Sequence, residues 1–360
     1  MTTVLAAKIA RDYGTPAVVV DMARVEYNIA RVQAACDAAG VANRPHIKTH
    51  KSPLLARLQR DAGATGITCQ KLGEAEVMAD AGLADILISY NLLGEEKIRR
   101  LGALLARVNV TVAADNEVVV AGLPPAAELA GRPLPVVIEC DTGRERAGVA
   151  MPAEAVALAQ AIAAREGLEF AGFLFYPTED GWPRAQRFFD DAAAGVRSLG
   201  LTPRIVSTGG TPNLKNLGGL RGATEHRPGT YIYNDRMQVA AGVATWDDCA
   251  LNVYATVVSR AAPDRGILDA GSKVLTADQG GGLDGHGLIL DHPGARIARL
   301  AEEHGFLDLS GCTERPAVGD VVRIVPNHVC VVVNMVDEVL MVRGDEIVGT
   351  LPVAARGRLR

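Results

Sequence analysis

Along roughly the first 235 residues, short β-branched apolar runs alternate with longer, alanine-rich stretches that repeat with the period of a helix. This alternation predicts parallel βαβ units. The predicted strands are 17–20, 45–48, 66–69, 86–89, 108–112, 136–139, 173–176 and 204–207. Eight strands over this length favour a (β/α)8 barrel, and a doubly wound open sheet is the alternative.

The pattern changes after residue 240. Strands are predicted at 251–259, 266–269, 321–325 and 329–342, separated by Gly, Pro and Asp turns, with one helix at 293–303. We therefore predict two domains, a barrel at 1–240 and a smaller, mainly antiparallel β domain at 241–360.

Composition restricts the class of protein. With 360 residues, 48% of them hydrophobic, the chain can bury a large core. A net charge of −5, spread along the chain, predicts neither a nucleic acid nor a membrane partner. No apolar run reaches the ~18 residues of a spanning helix, and the start Met1-Thr2-Thr3-Val4 lacks a signal-peptide pattern. The six cysteines are scattered, and we expect them to be reduced in a cytoplasmic protein.

Polar residues stand at the ends of several predicted strands, where (β/α)8 barrels collect their functional groups. The basic run 44–51 reads Arg-Pro-His-Ile-Lys-Thr-His-Lys, and Lys48 ends the second predicted strand. A lysine partly withdrawn from water can act as a nucleophile toward a carbonyl group, although a solvent-facing basic strand end is the alternative. Gln70, Arg146 and Tyr176 stand at or just after three later strand ends.

Two loops carry small residues that suit an anion. After the last predicted strand come Ser207, Thr208, Gly209, Gly210 and Thr211. The second loop is Arg227-Pro228-Gly229-Thr230-Tyr231. Such loops can point backbone N–H groups at a phosphate, and an ordinary turn is the alternative for each of them. Together with a strand-end lysine, they predict a phosphate-bearing carbonyl cofactor, pyridoxal 5'-phosphate (PLP).

A candidate metal site lies at His328 and Cys330. On the predicted strand, residues two apart share a face, so the imidazole and the thiolate would point the same way. Two protein ligands leave positions for water and substrate, and a nitrogen–sulfur pair favours Zn²⁺ over Mn²⁺ or Mg²⁺. A core cysteine beside a structural histidine is the alternative.

These motifs occur in an order that resembles the D-threonine aldolase and D-serine dehydratase group. The matching segments are 44–51, 69–76, 141–146, 224–231 and 328–330. The resemblance implies metal-assisted PLP enzymes with an alanine racemase-like barrel, a C-terminal β domain and a homodimer. It implies that Lys48 carries PLP as a Schiff base and that Gln70 and Arg146 lie near its ring oxygen. It further implies that 207–211 hold the phosphate with Gly229 and Thr230, and that His328 and Cys330 bind the metal.

The resemblance leaves the reaction on a D-β-hydroxy-α-amino acid open. Retro-aldol cleavage to glycine and an aldehyde is favoured, and dehydration of D-serine or D-3-hydroxyaspartate to a 2-oxo acid and ammonia is the alternative. Many relatives carry a histidine where this chain has Pro177, so His50, Glu179 or a metal-bound water would have to supply the base. An amino-acid racemase, which needs two bases and no metal, is a more distant alternative.

Overall fold

A computed structural model describes residues 3–360. The prediction about the signal-peptide pattern concerned residues 1–4, of which Met1 and Thr2 lie outside the described residues. The chain forms two compact units that are discontinuous in sequence. The first, called here the barrel unit, contains Ala30–Lys48, Pro53–Gly229 and Gly357–Arg360. The second, the β unit, contains the chain up to Ile29, Thr49–Ser52 and Thr230–Arg356. The predicted domain boundary at residue 240 stays a prediction.

The described elements follow the chain in this order. The α-helices are α1 Val4–Asp12, α2 Met22–Ala38, α3 Pro53–Asp61, α4 Leu72–Asp80, α5 Glu95–Leu105, α6 Glu117–Gly122, α7 Pro124–Ala130, α8 Pro152–Ala163, α9 Trp182–Ser198, α10 Arg236–Ala240, α11 Ser272–Leu275 and α12 Val329–Met335. The strands are β1 Ala17–Asp21, β2 Ala42–Asn43, β3 Ile67–Cys69, β4 Asp85–Ile88, β5 Asn109–Ala114, β6 Leu134–Cys140, β7 Leu168–Phe175, β8 Ile205–Thr208, β9 Glu225–His226, β10 Leu251–Ala262, β11 Arg265–Leu268, β12 Leu288–Ile289, β13 Arg296–Leu300, β14 Gly305–Asp308, β15 Val321–Val325, β16 Glu338–Arg343 and β17 Glu346–Pro352.

The barrel unit is built on an eight-stranded parallel sheet in the order β2-β9-β8-β7-β6-β5-β4-β3. The ring closes between its two ends, where Thr65 N–H donates to Asn43 O over 2.9 Å and Thr68 N–H donates to Pro45 O over 2.8 Å. Inward-facing side chains of successive strands form a buried cluster of Leu87, Ala113, Val137, Ala171 and Leu174. The predicted (β/α)8 barrel is therefore confirmed, and the open-sheet alternative does not apply.

The β unit is built on a nine-stranded, mainly antiparallel sheet in the order β11-β14-β13-β12-β15-β10-β1-β16-β17. Helix α1 packs its apolar face, Leu5, Ala6 and Ile9, against buried residues of this sheet such as Val19 and Leu340. The predicted antiparallel β domain is confirmed. Within residues 3–360, no helix is long and apolar enough to cross a membrane.

The predicted first barrel strand, 17–20, is wrong in its sheet assignment. Those residues form β1, which pairs with β10 and β16 in the β unit. The barrel instead begins at Ala42–Asn43 and ends at Glu225–His226. An apolar run of this kind suits the centre of either sheet, and only the partner strands decide between them.

Two further predictions in the second domain are wrong. Residues 293–303, predicted as a helix, contain strand β13, which pairs with β14. The predicted strand 329–342 is a helix, α12, followed by strand β16. The valine-rich run of α12 buries Val329, Val332 and Val333, which is helical spacing, so tertiary packing overrides the β propensity of valine.

Candidate active site

Lys48 does not end a regular strand. The segment after β2 makes a single β-bridge at His46 and then a 3₁₀ turn over Ile47–Thr49, and Lys48 is half-buried in that turn. His46 supports the turn, because its Nδ1 lies 3.4 Å from the Lys48 N–H and its Nε2 lies 3.1 Å from Gln70 Oε1. The Gln70 amide donates in turn to Ser89 O over 3.0 Å, so its oxygen must face His46.

This chain of hydrogen bonds assigns one tautomer to His46. Nε2 carries the proton and donates to Gln70, while Nδ1 accepts from the backbone of Lys48. Gln70 is held from the other side by Glu74, whose carboxylate accepts the N–H groups of Gln70 and Lys71 over 2.9 and 3.0 Å. The structure thus connects the predicted residues Lys48 and Gln70 through His46.

The two glycines of the first predicted phosphate loop are packed too tightly to admit side chains. Gly209 has φ +60°, and a Cβ there would lie 2.1 Å from His226 Cε1. A Cβ on Gly210 would lie 2.9 Å from the Tyr176 ring. The hydroxyl of Thr211 accepts from Gly229 N–H over 3.1 Å, so the structure joins the two predicted loops. These contacts form a backbone cradle at the ends of β8 and β9.

His226 supports the cradle as a neutral side chain. Burial lowers its pKa to about 3. Its Nε2 lies 3.1 Å from Gly210 O, which can only accept, so Nδ1 is left to accept from the Thr208 hydroxyl 3.2 Å away. Ser207 faces elsewhere, because its hydroxyl donates to the buried carboxylate of Glu225. The side chain of Ser207 therefore supports the strand end, and its role in phosphate binding stays a prediction.

Two arginines converge on Tyr176. The guanidinium of Arg144 lies 4.2 Å from the ring centroid and that of Arg146 lies 5.6 Å from it. Arg146 also lies 3.5 Å from Glu139. Burial raises the pKa of Glu139, and the nearby charge of Arg146 offsets only part of that rise. Arg144 donates to Pro177 O over 2.9 Å and pairs with Glu179.

Arg227 was predicted only as part of the second loop, with no role for its own side chain. It is buried, and its Nη2 donates to Phe175 O over 2.8 Å, while its Nη1 is buried without a partner. Burial lowers its pKa to about 10, opposed by Glu225 and Glu139. An arginine directly before a Pro-Gly turn, in a loop predicted to hold an anion, was the signal that could have identified its side chain.

The metal candidates lie in the β unit, at a helix start and not on a strand. His328 precedes α12 in extended backbone conformation, and Cys330 lies in the first turn of that helix. The two side chains hydrogen-bond each other, so they do converge. The Thr49 hydroxyl lies 3.2 Å from Cys330 Sγ and that of Thr230 lies 3.9 Å from it.

Asp235 completes this group and was missed in the sequence. Its Oδ2 lies 2.9 Å from His328 Nδ1. Burial lowers the pKa of His328, but Cys330 and Asp235 together outweigh burial and raise it to about 11. Asp235 also caps helix α10, and this local role is the only one that the sequence around it could indicate.

The remaining predicted residues lie nearby in the β unit. His50 is buried, and its Nδ1 accepts from Ser52 N–H over 3.1 Å, which leaves the ring proton on Nε2. Tyr231 is fully buried in the 3₁₀ turn Thr230–Ile232. The predicted roles of His50, Thr230 and Tyr231 stay predictions.

Comparison with known proteins shows the family. The family model "Alanine racemase, N-terminal domain" matches residues 20–237, and the model "Putative serine dehydratase domain" matches residues 250–342. The chain is 33% identical to the D-threonine aldolase of Arthrobacter sp. over 95% of this chain and 93% of that one. It is 34% identical to the D-threo-3-hydroxyaspartate dehydratase of Delftia sp. (strain HT23) over 88% and 90% of the two chains.

The chain belongs to this family of alanine racemase-fold D-threonine aldolases and dehydratases. A solved structure agrees. The crystal structure of D-threonine aldolase from Filomicrobium marinum superposes with a TM-score of 0.88 at 32% identity, covering 96% of both chains. The predicted resemblance is confirmed.

The residues present fit the cofactor that this aldolase and dehydratase family implies. The cradle at Gly209 and Gly210 has space for backbone and none for a Cβ, as a close approach to a phosphate requires. The unpartnered buried Nη1 of Arg227 is a donor without an acceptor, which a ligand oxygen or nitrogen would supply. Lys48 stands at the end of the same ring of strands.

The donor pair also fits a divalent metal. A carboxylate on one nitrogen of a histidine and a thiol on the other side is a common arrangement around zinc. Among residues 3–360, no group of three or more His, Cys, Asp or Glu side chains is arranged to hold a metal. The pair therefore suits a site with open positions better than a closed structural site.

We predict that Gly209→Ala weakens PLP binding, because the new methyl group would displace the cradle from His226. The matched control is Gly200→Ala, which carries the same left-handed backbone penalty at φ +74° but meets nothing within 4 Å. PLP retained after dialysis is the measurement. Equal retention by the two variants would contradict the assignment of the cradle.

We predict that borohydride reduction of the PLP-loaded protein attaches the cofactor to Lys48 alone. Peptide mass spectrometry should find the label on the peptide containing Lys48, and Lys48→Ala should carry none. Lys51→Ala is the control and should label as the unmodified chain does. Label at Lys51 in the Lys48→Ala variant would show that another lysine holds the cofactor.

Proposed function

We propose that this protein is a PLP- and metal-dependent lyase that cleaves D-β-hydroxy-α-amino acids, with D-threonine aldolase-type cleavage to glycine and an aldehyde as the first candidate. The observation that carries the proposal is the His328–Cys330 pair, held by Asp235, in a chain that also has Lys48 in the 3₁₀ turn after β2 and the glycine cradle. An amino-acid racemase would have no use for the pair. The relatives named D-threonine aldolase support cleavage to glycine and an aldehyde as the first candidate.

Each group supplies a distinct part of the chemistry. PLP, when bound, supplies an electron sink for negative charge at the α-carbon of an amino acid. A divalent ion held by His328 and Cys330, with Zn²⁺ favoured over Mn²⁺ or Mg²⁺, supplies a Lewis acid for the substrate β-oxygen.

The residues of the chain bind and move protons in this scheme. Lys48 would hold PLP through Nζ, with Gly209, Gly210, Thr211 and Gly229 at its phosphate. The amine of Lys48 is also a base for a proton on the α-carbon. Since His50 carries its proton on Nε2, it can donate a hydrogen bond to an oxygen at that atom, but cannot accept a proton there.

Dehydration is the second candidate, because neither the position of Pro177 nor its possible substitute Glu179 offers a suitable aldolase base. Pro177 has no side-chain base, and its carbonyl accepts from Arg144. Glu179 is exposed and paired with Arg144. Removal of the α-proton by Lys48, with loss of the β-hydroxyl, would then give a 2-oxo acid and ammonia. The relative named D-threo-3-hydroxyaspartate dehydratase supports this alternative.

We propose that the enzyme is cytoplasmic and that it works as a homodimer, as the resemblance implies. Its partner is a small D-amino acid, and we propose neither a nucleic acid nor a membrane as a partner.

A product assay tests the proposed function. Protein loaded with PLP and Zn²⁺ would be given D-threonine, D-serine and D-threo-3-hydroxyaspartate separately, with and without a chelator. We expect glycine and acetaldehyde from D-threonine, and we expect both to be lost on chelation, since a divalent ion held by His328 and Cys330 would supply the Lewis acid for the β-oxygen.

The other outcomes of this assay are decisive. Ammonia and a 2-oxo acid in place of glycine would establish the dehydratase. Interconversion of the D- and L-amino acids, unaffected by chelation, would establish a racemase and overturn the proposal.

We predict that Cys330→Ala lowers bound zinc and activity by at least ~10-fold, because the metal loses one of two protein ligands, while PLP stays bound. Cys312→Ala, a part-exposed cysteine of the same unit, is the matched control and should change neither. Zinc by mass spectrometry and PLP by absorbance are the measurements. Stoichiometric zinc in Cys330→Ala would remove that residue from the ligand set.

A further inference from the structure

We propose that Asp235 is the positioning residue of the metal pair, which holds His328 with its proton on Nδ1 so that Nε2 faces the metal. The inference rests on the metal site of the proposed function and names the residue that sets its geometry. Asp235 lies 93 positions before His328 in the chain, so no local pattern connects the two.

The hydrogen bonds of Asp235 define the direction of its side chain. The residue is completely buried. Its Oδ1 accepts from Gln238 N–H over 3.0 Å, and its Oδ2 accepts from Val329 N–H over 3.1 Å. Both oxygens therefore act as acceptors, and His328 Nδ1, 2.9 Å from Oδ2, is the donor of their contact. This leaves Nε2 as the nitrogen for Cys330 or for a metal.

The backbone around this contact is held on both sides. Asp235 begins helix α10, and the first residues of that helix donate N–H groups to Pro326 O over 3.2 Å and to Asn327 O over 3.3 Å. Arg236 also donates to the side chain of Asn327 over 2.7 Å. Because α10 is joined to the two residues that precede His328, the carboxylate cannot shift without the imidazole.

This arrangement predicts what an amide would do in place of the carboxylate, as in Asp235→Asn. If the oxygen of the new amide kept the cap on Gln238, its NH₂ would face His328 Nδ1 and Val329 N–H, both of which are donors. The imidazole would then move its proton to Nε2, the nitrogen that the metal needs. If the amide turned over, the helix cap would be lost.

The experiment compares the Zn²⁺ affinities of the PLP-loaded protein and its variants by competition with a chromogenic chelator. We expect Asp235→Asn and Asp235→Ala to bind Zn²⁺ about 10- to 100-fold more weakly than the unmodified chain. Asp248→Asn is the matched control. Its buried carboxylate also accepts at a helix start, from Thr245 N–H over 2.7 Å. Asp248→Asn therefore weakens a similar helix cap away from the metal pair, and we expect its Zn²⁺ affinity to be unchanged.

The outcomes separate this inference from the proposed function. If the unmodified chain binds no Zn²⁺, the proposed metal site fails. If it binds Zn²⁺ and Asp235→Asn binds equally well, the site stands and the role of Asp235 is overturned. Weaker binding by Asp248→Asn to the same extent would also overturn it, by showing an effect of stability alone.

A second measurement covers the case in which the Asp235 variants do not fold. The ¹⁵N spectrum of histidine-labelled, zinc-loaded protein is compared with that of His328→Ala to identify the His328 signals. A protonated Nδ1 and a metal-bound Nε2 are expected. The reverse assignment would overturn the inference.

Discussion

Three strand ends of the barrel depend on one buried carboxylate. Glu225 accepts from Arg44 over 2.7 Å at one oxygen and from Ser207 at the other, and Arg44 also pairs with Asp85. Burial lowers the pKa of Arg44, but its two carboxylate partners outweigh burial and raise it, so the charge is kept. Removing one member of such a pair costs about 3–5 kcal/mol, because the other is left buried and unpaired. Since Lys48 comes four residues after Arg44, its position depends on this pair.

The glycine cradle continues from the same place. Ser207 leads directly into Gly209 and Gly210, and His226, the residue after Glu225, fills the space beneath them. Burial keeps that imidazole neutral, so it acts by shape and by one hydrogen bond to Gly210 O. The charge that could meet an anionic cofactor lies instead on Arg227. The two residues of β9, Glu225 and His226, thus support the strand end and the cradle, and the buried, unpartnered Nη1 lies on Arg227, directly after the strand.

The metal pair has a different physical origin. His328 and Cys330 converge because the chain enters a helix between them, and not because they share a strand face. Asp235 makes both halves of the arrangement possible, since it accepts the first N–H of that helix and the Nδ1 proton of His328. One buried carboxylate therefore holds both the start of α12 and the orientation of the His328 imidazole. This explains why His328 and Cys330 converge as predicted, although the strand on which they were predicted to lie is a helix start.

The sequence by itself determined the fold class, the candidate lysine, the two glycine loops and the nitrogen–sulfur pair, because periodicity and residue chemistry are local properties. Only the tertiary structure decided that 17–20 belong to the antiparallel sheet and that the valines of 329–335 form a helix, because neighbouring elements supply those contacts. Asp235 and Arg227 needed the fold for the same reason. Asp235 reads locally as a helix cap, and Arg227 as part of a turn, until residues distant in the chain bring His328 and the cradle beside them.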